Sequence, residues 1–534
     1  MKYSWSSAPA RPGRPVGRKR SHLPGHIALL FVILALLGLV CGATAPVEAA
    51  SAEAAPSDAA SSLAAIAGGL ADYSEINAAA VDAPTASQFL YVDGSGHGIT
   101  GPILRFYTRT GGAERHGQPL SEPIRVGNHY LQYFQRSALE FYPDYVGTGT
   151  EVRFAALGHT AATESGLSLE QIEPFAGTDQ KWYFPESGHS LAEPFLSFWR
   201  NEGGQDGLGL PISEEIAQDG PDGGQMTVQY FEDAALQRPR GSTNPAEVSF
   251  VPLGELQARA KLTPAQLAPV AKERFTAPRT VKVPSLMFHY VRIVDPKKDL
   301  LGYNLSIKPD NYLKFLDWVQ QAGFNTVTVG QVYDYLQYGI LLPDKPIQFR
   351  WDDGHDSDWF VYQEMKKRGM TATFFVISRR LELTPAQWQQ IDQDGFEIGA
   401  HTRTHPDLRG VKDLAGEITG SKTDLEAMLG HPVRSFAYPS GKYNDTVVKV
   451  VRDSGFAVAV TTDGGYTWTT DLKLKEPVVS VTGQDSLESF CYKVRAGTAS
   501  QFASSVNCNG LDAATTPSTN PQTAPPTGQP VTKK

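Results

Sequence analysis

Short apolar runs alternate with stretches of helical periodicity through the C-terminal half of the chain. The runs, rich in β-branched and aromatic residues, are SLMFHYV, NTVTV, IQFRW, TATFFV, FEIGA, SFAYP and FAVAVTT. Helical spacing of apolar positions marks 309–322, a segment after Gly330, 357–368, 385–394, 414–429 and 445–454. About seven strands alternating with helices predict an α/β fold, either a (β/α) barrel or a doubly wound sheet. In both folds catalytic side chains gather at the C-terminal ends of the strands.

The first polar cluster at such a position is Trp351 to His355, after the run IQFRW. Neighbouring strand residues face opposite sides, so Asp352 and Asp353 can share one site only where the pleat breaks, and Gly354 supplies that break. Adjacent carboxylates repel unless a cation binds one of them, which leaves the other free to act as a base. An acidic loop that caps the next helix is the structural alternative.

The second cluster places His401 and His405 directly after the run FEIGA. Pro406 disfavours a helical conformation at His405, so we predict a tight turn that brings both imidazoles to the same side. Two histidines and one carboxylate from the end of the other strand, Asp352 or Asp353, form the three-ligand set with an open position that catalytic zinc sites use. Zinc is the favoured ion on ligand type, and other divalent transition metals also fit.

The third cluster, 434–443, carries the run SFAYP into the turn Pro439-Ser440-Gly441. Backbone N–H groups in such a turn can stabilise a developing oxyanion. Taken alone, this segment would be interpreted only as a loop.

Together the motifs WDDG, HTRTHP and FAYPSG resemble those of the polysaccharide deacetylase family, carbohydrate esterases with a NodB-homology domain, over residues 285–490. The resemblance implies a distorted (β/α) barrel that removes acetyl groups from N-acetylglucosamine in a polymer. It implies that one divalent metal binds the chain. The roles it implies are general base for Asp352, metal ligand for Asp353, His401 and His405, and backbone donor to the oxyanion for Ser440.

Two departures from the family pattern concern the base and the acid. The arginine that orients the base is replaced by Ala437, and Arg434 is the candidate substitute. The late motif that normally supplies an acidic histidine reads PVVSVTGQDSLESF and has none. His289, in the opening FHY, resembles the histidine of a branch that includes deacetylases of biofilm poly-N-acetylglucosamine. His289 is therefore the candidate acid, and a core histidine bonded to a neighbouring loop is the alternative.

Three further residues are weaker candidates for the site. Tyr438 and Trp468 could form an apolar wall for the acetyl methyl group, although core packing would place aromatic residues at the same positions. Asp463 precedes a Gly-Gly turn and could orient a catalytic partner, although aspartate is common in such turns for local hydrogen bonding.

The chain divides into six predicted regions. They are an export signal or signal anchor (1–49), an Ala/Ser-rich linker (50–84), a mixed, β-rich, two-copy repeat region (85–258), a connector (259–282), the deacetylase domain (283–508) and a disordered tail (509–534). A basic run before the apolar stretch 27–45 predicts a secreted protein, or one anchored in the membrane, because roughly 20 apolar residues can span a bilayer. In an exported chain, a disulfide between Cys491 and Cys508 is favoured over two separate thiols.

The repeat region shows the same motifs twice. The SGH of 95–97 and the QYF of 132–134 recur at 187–189 and 229–231, as in repeats appended to exported bacterial proteins. His97 and His189 occupy equivalent positions and are predicted to fix turns rather than to bind a metal. The repeated aromatic residues are predicted to pack in a core, with stacking on sugar rings as the alternative. The region could contact cell-surface glycan or protein.

Composition narrows the class of partner. With 534 residues, the chain is longer than one hydrophobic core usually accommodates, so it should contain several folded parts. A net charge of −9 argues against nucleic acid or an anionic membrane as the main partner. A neutral or cationic glycan fits better, and the resemblance implies a polysaccharide containing N-acetylglucosamine as the substrate. The leading hypothesis is thus a metal-dependent glycan deacetylase. One alternative is a catalytically decayed deacetylase fold that binds cell-surface glycan, and another is hydrolysis of a different amide or ester.

Overall fold

The computed structural model describes residues 89–220, 223–276 and 279–512. The predicted export segment, the linker and all but the first residues of the predicted tail lie outside the described residues. Within the described ranges, no helix is both long and apolar enough to cross a bilayer.

The region before the barrel contains one series of elements twice. In the first copy these are β1 (Phe89–Val92), β2 (His97–Thr100), α1 (Gly101–Arg109), α2 (Gly112–His116), β3 (Ile124–Val126), β4 (His129–Tyr133), β5 (Ala138–Phe141), β6 (Val152–Phe154) and α3 (Leu157–Glu164). In the second copy they are β7 (Lys181–Phe184), β8 (His189–Ala192), α4 (Phe195–Asn201), α5 (Gly204–Leu208), β9 (Ile216–Asp219), β10 (Gln225–Tyr230), β11 (Ala235–Pro239), β12 (Ser249–Phe250) and α6 (Leu253–Lys261). Each copy therefore has a β-hairpin, two short helices, a four-stranded antiparallel sheet and a closing helix.

The two copies exchange their closing helices. Gly158 of α3 packs against the second copy so closely that a Cβ there would lie 1.9 Å from the carbonyl oxygen of Phe231. Gly254 of α6 packs against the first copy in the same way, 1.9 Å from the carbonyl oxygen of Phe134. Because each sheet is closed by the helix of the other copy, the two copies fold as one interlocked unit.

The histidine of each hairpin lies beside a glutamate of its own copy. His97 Nδ1 lies 3.2 Å from Glu122 Oε1, which also accepts the Gly98 N–H. His189 Nδ1 lies 3.5 Å from Glu214 Oε1. These contacts tie the hairpin to the following loop, which agrees with a structural role in both turns.

The segment predicted as a connector is ordered against both neighbours. It contains α7 (Glu273–Thr276), and β13 (Thr280–Lys282) pairs antiparallel with β23 (Thr467–Thr469) of the barrel region. Phe275 of α7 stacks on Phe89 of the first hairpin, with ring centroids 5.8 Å apart. The described residues of this segment therefore pack against both the repeat region and the barrel.

The remaining elements alternate strands and helices. The strands are β14 (Ser285–Phe288), β15 (Tyr290–Val291), β16 (Ser306–Ile307), β17 (Asn325–Val327), β18 (Pro346–Asp353), β19 (Thr373–Val376), β20 (Glu397–Ala400), β21 (Ser435–Ala437), β22 (Val458–Gly464), β23 and β24 (Glu476–Ser480). The helices are α8 (Leu300–Asn304), α9 (Pro309–Gln321), α10 (Val329–Tyr338), α11 (Asp358–Lys367), α12 (Pro385–Gln393), α13 (Leu414–Leu429), α14 (Asp445–Asp453), α15 (Leu487–Gly497) and α16 (Ser500–Ala503).

Seven parallel strands close into a barrel. Their order is β14-β24-β22-β21-β20-β19-β18, and β14 pairs with β18 to complete the ring, while β17 adds a short strand to β18. This confirms the predicted distorted (β/α) barrel and excludes the doubly wound sheet. The predicted disulfide between Cys491 and Cys508 is also present, and it fastens α15 to the segment after α16.

A buried ionic cluster joins the first copy to the barrel. Tyr130 donates a hydrogen bond of 3.0 Å to Asp334 of α10, and Arg434 contacts the same carboxylate at 2.7 Å. Arg434 also lies 2.5 Å from Asp144, whose second oxygen is 3.5 Å from His431. Apolar side chains of the first copy and of α10 form one continuous core around this cluster.

The exchange of the closing helices can be tested through the stability of the protein. We expect Gly158→Ala or Gly254→Ala to lower the free energy of unfolding by about 2 kcal/mol, because the added methyl group would overlap a backbone oxygen of the other copy. Urea denaturation measures the loss. Gly410→Ala is the matched control, since open space surrounds that glycine. If the two core variants were no less stable than the control, the helices would not be exchanged.

Candidate active site

The three polar motifs meet at the C-terminal end of the barrel. Asp352 and Asp353 end β18, His401 follows β20, and the turn at Ser440 follows β21. Parallel strands deliver their C-terminal ends to one side of the barrel, so these segments become neighbours. His289 joins them, because it follows β14, the strand that pairs with β18.

Left-handed backbone is concentrated in these motifs. Among the described residues, five non-glycine positions have positive φ, and four of them are Asp353 (85°), Thr402 (63°), His405 (63°) and Ser440 (54°). Such conformations cost about 1 kcal/mol or more each and collect at functional sites. The left-handed turn between His401 and His405 folds the second imidazole back over the first, as the sequence predicted, with ring centroids 4.8 Å apart.

One carboxylate oxygen faces both of these imidazoles. Asp353 Oδ1 lies 3.4 Å from Nε2 of His401 and 3.4 Å from Nε2 of His405. The three ligand atoms of the cluster lie within 4.8 Å of one another. This oxygen is buried and accepts no hydrogen bond from the described residues.

The donor atoms fit a divalent cation. His401 Nδ1 lies 2.9 Å from the carbonyl oxygen of Ala437, which can only accept, so the proton belongs on Nδ1 and the Nε2 lone pair faces Asp353. Two ligands about 2.1 Å from a tetrahedral ion lie about 3.4 Å apart. The observed separations therefore suit an ion held by Asp353, His401 and His405.

The pKa values of the cluster residues are set by burial and by the contacts among their side chains. Burial alone would raise the pKa of Asp353, but the contacts with His355 and His401 outweigh it and hold the pKa well below its ordinary value. Burial likewise acts to lower the pKa of His401, and the Asp353 carboxylate reverses this and raises it. The pKa of His405 is lowered by burial and by the neighbouring His401. Asp353 is thus ionised, as a metal ligand must be.

The neighbouring carboxylate, Asp352, is held by an arginine. Arg350 Nη2 donates a hydrogen bond of 2.8 Å to Asp352 Oδ2, and its Nη1 donates to the carbonyl oxygen of Thr461 at 3.0 Å. Both charged side chains are buried, with 0% of Arg350 and 3% of Asp352 exposed. The second oxygen, Asp352 Oδ1, has no hydrogen-bond partner among the described residues and remains available to accept a proton.

Arg350 was not predicted from the sequence, although a signal was present. It stands in the run IQFRW two residues before Asp352, on the same face of the strand, and a charged residue in a buried strand needs a partner. Arg434, the predicted substitute for the arginine missing at Ala437, instead binds Asp334 and Asp144 beneath the first copy.

His289 lies close enough to both carboxylates for their charges to act on it. Burial lowers the pKa of His289, and the charges of Asp352 and Asp353 oppose that shift. The side chain is only partly exposed. The structure therefore places this histidine beside the predicted base, and its role as the acid stays a prediction.

The weaker candidates for the site, Tyr438, Trp468 and Asp463, make contacts of their own. Tyr438 is 1% exposed and donates a hydrogen bond to the carbonyl oxygen of Leu474, and Trp468 is fully enclosed in the core shared with the first copy. Neither offers a surface that an acetyl group could contact, so the packing interpretation fits both. Asp463 accepts a hydrogen bond of 2.6 Å from Tyr443 and so orients that ring.

The barrel carries, at the C-terminal ends of its strands, a group of side chains that could hold a metal ion. Residues 341–459 match the family model for polysaccharide deacetylase. The matched residues lie within the barrel, which is therefore similar to a polysaccharide deacetylase domain, a class of enzyme.

Three relatives illustrate the likeness. YxkH of Bacillus subtilis is 26% identical over 194 residues, 35% of this chain and 67% of that protein. The peptidoglycan-N-acetylglucosamine deacetylase of Bacillus cereus is 29% identical over 126 residues, 23% of this chain and 59% of that protein. The solved structure of the Streptococcus pyogenes deacetylase PplD in complex with acetate is 26% identical, with a TM-score of 0.38, over 40% of this chain and 98% of that chain. The chain thus spans roughly two-thirds or less of these two curated relatives.

The pair of Arg350 and Asp352 can be tested through stability. We expect Arg350→Met to lower the free energy of unfolding by about 3 kcal/mol near neutral pH, because Asp352 would be left as an uncompensated buried charge. Adding Asp352→Asn to this variant should recover much of the loss. Chemical denaturation of the two single variants and the double variant provides the measurement. Additive losses would show that the two charges do not depend on each other.

Proposed function

We propose that the barrel is a metal-dependent hydrolase that removes N-acetyl groups from a polysaccharide containing N-acetylglucosamine. One observation carries the proposal: Asp352, a carboxylate fixed by Arg350, stands directly beside a cluster whose donor atoms suit a divalent cation. A base next to a Lewis-acid site is the arrangement that metal-assisted hydrolysis requires.

Asp353, His401 and His405 would hold the metal. Two imidazoles and one carboxylate at these spacings favour zinc, and other divalent transition ions also accept this set. When bound, the ion supplies Lewis-acid catalysis to the acetamide carbonyl and to water.

The side chains around that site have complementary tasks in the proposed reaction. Asp352 takes a proton from the attacking water through its free oxygen, while Arg350 holds the carboxylate in place. The backbone N–H of Ser440 stabilises the negative charge that develops on the carbonyl oxygen. His289 donates a proton to the departing amine as the carbon–nitrogen bond breaks, which releases acetate and leaves a free amino group on the sugar.

The substrate class rests on the relatives. The Bacillus cereus relative is a peptidoglycan-N-acetylglucosamine deacetylase, and its similarity supports an N-acetylglucosamine polymer as the substrate of this chain. We propose that the protein is exported, either secreted or anchored by residues 27–45, and the disulfide between Cys491 and Cys508 supports an oxidising compartment. Contact of the repeat region with cell-surface glycan or protein is part of the same proposal.

The decisive measurement is acetate release from N-acetylglucosamine oligomers by the protein spanning residues 85–512. We expect release that stops with a chelator and returns with zinc. Asp352→Asn should reduce the rate at least about 100-fold, because it removes the general base. Asp356→Asn, a change of an exposed carboxylate in the adjoining loop, is the matched control. If no oligomer of any linkage yields acetate in a chelator-sensitive way, the protein is not this enzyme.

His289 has its own test. We expect His289→Gln to bind metal as tightly as the unmodified protein and to release acetate about 100-fold more slowly, because the departing amine would lack its proton donor. Metal content and initial rates are measured on the same preparation, with exposed His159→Gln as control. An unchanged rate would show that His289 is a core histidine and that another group is the acid.

A further inference from the structure

The residue after the acidic motif, His355, sits between the metal cluster and a second carboxylate. Its Nε2 lies 3.3 Å from Asp353 Oδ2, the oxygen that does not face His401 and His405. Its Nδ1 lies 3.3 Å from Glu382 Oε1. The imidazole thus spans from a proposed metal ligand to a glutamate in the loop between β19 and α12.

Glu382 is itself fixed. Its second oxygen, Oε2, accepts the backbone N–H of Asp356 at 3.1 Å, so the carboxylate contacts two consecutive residues of the loop after β18. The backbone N–H of His355 is in turn bound by Asp358 Oδ2 at 2.9 Å. These hydrogen bonds hold the imidazole and its glutamate in one geometry.

An aromatic ring covers the remaining side of the His355 imidazole. The ring of Tyr290 stacks on that of His355, with centroids 3.5 Å apart and ring planes 20° apart. The guanidinium carbon of Arg292 lies 3.6 Å from the centre of the Tyr290 ring. Only 1% of His355 is exposed. A side chain this enclosed cannot reach a polymer, so its chemistry is directed at Asp353.

Resting on the proposed metal site, we propose that His355 is a positioning residue that fixes the Asp353 carboxylate, with Glu382 orienting the imidazole. With Oδ2 against His355, Asp353 presents the single oxygen Oδ1 toward His401 and His405. One oxygen from the carboxylate leaves room at the ion for water and for the acetyl carbonyl. Groups behind metal ligands that hold their orientation commonly change metal affinity about 10- to 100-fold.

The test measures metal binding and not only turnover. In the protein spanning residues 85–512, we expect His355→Gln to weaken zinc binding about 10- to 100-fold in competition with a chromogenic chelator. Glu382→Gln should weaken it less, and both should alter the visible absorption spectrum of the cobalt-loaded protein. His159→Gln and Glu114→Gln, two exposed positions away from the barrel mouth, are the controls. Urea unfolding of the metal-free variants separates a local effect from a loss of fold.

The outcomes distinguish the two proposals. If the unmodified protein binds zinc and both variants bind it within twofold of the controls with an unchanged cobalt spectrum, the positioning role is wrong and the metal site stands. If the unmodified protein binds no metal, both proposals fall. Should His355→Gln fail to fold, Glu382→Gln decides, because the Glu382 side chain is 40% exposed and its replacement keeps an acceptor for the Asp356 N–H.

Discussion

The break in the pleat at the end of β18 determines the whole site. Consecutive residues of a strand face opposite sides, yet Asp352 and Asp353 must serve one centre. The chain solves this with a left-handed residue at Asp353, φ 85°, followed by Gly354, φ 80°. Asp352 keeps its strand position and its bond to Arg350, while Asp353 turns toward His401 and His405. The base and the metal ligand are therefore adjacent in sequence but have separate hydrogen-bonding environments.

The main architecture could be predicted because it depends on strong local patterns. Alternating strands and helices predicted a (β/α) barrel or a doubly wound sheet, and the resemblance to polysaccharide deacetylases implied the barrel. Polar motifs where strands end led to the grouping of Asp353, His401 and His405. Arg350 was not predicted because comparison with the family's motifs pointed to position 437 as the place of the arginine. The partner of Arg350, Asp352, lies only two residues farther along the same strand. Tyr438 and Trp468 were ambiguous for a general reason: an aromatic residue near a site has the same sequence pattern whether it packs or binds.

Contacts between distant parts of the chain were the least predictable feature, since no local sequence pattern shows which segments meet. The predicted connector contains β13 and α7, and Phe275 joins the first hairpin to the barrel side. Nothing in a sequence repeat indicates that the copies exchange helices, because the exchange changes no residue. The contact of the first copy with α10 also employs Arg434 in place of a catalytic role. The first copy and the barrel share one hydrophobic core.

The Arg350–Asp352 pair also separates catalysis from the alternative of a decayed fold that only binds glycan. Removing two charges from water is costly, and replacing a buried pair by apolar residues is often neutral or stabilising. A protein that needed only the barrel surface would gain nothing from keeping this pair at the centre of the fold. Asp352 is instead oriented by Arg350 and left with one oxygen free beside Asp353. That arrangement suits a base that takes a proton from water. Because Arg350 already orients the base, the absence of arginine at position 437 is not evidence of lost activity.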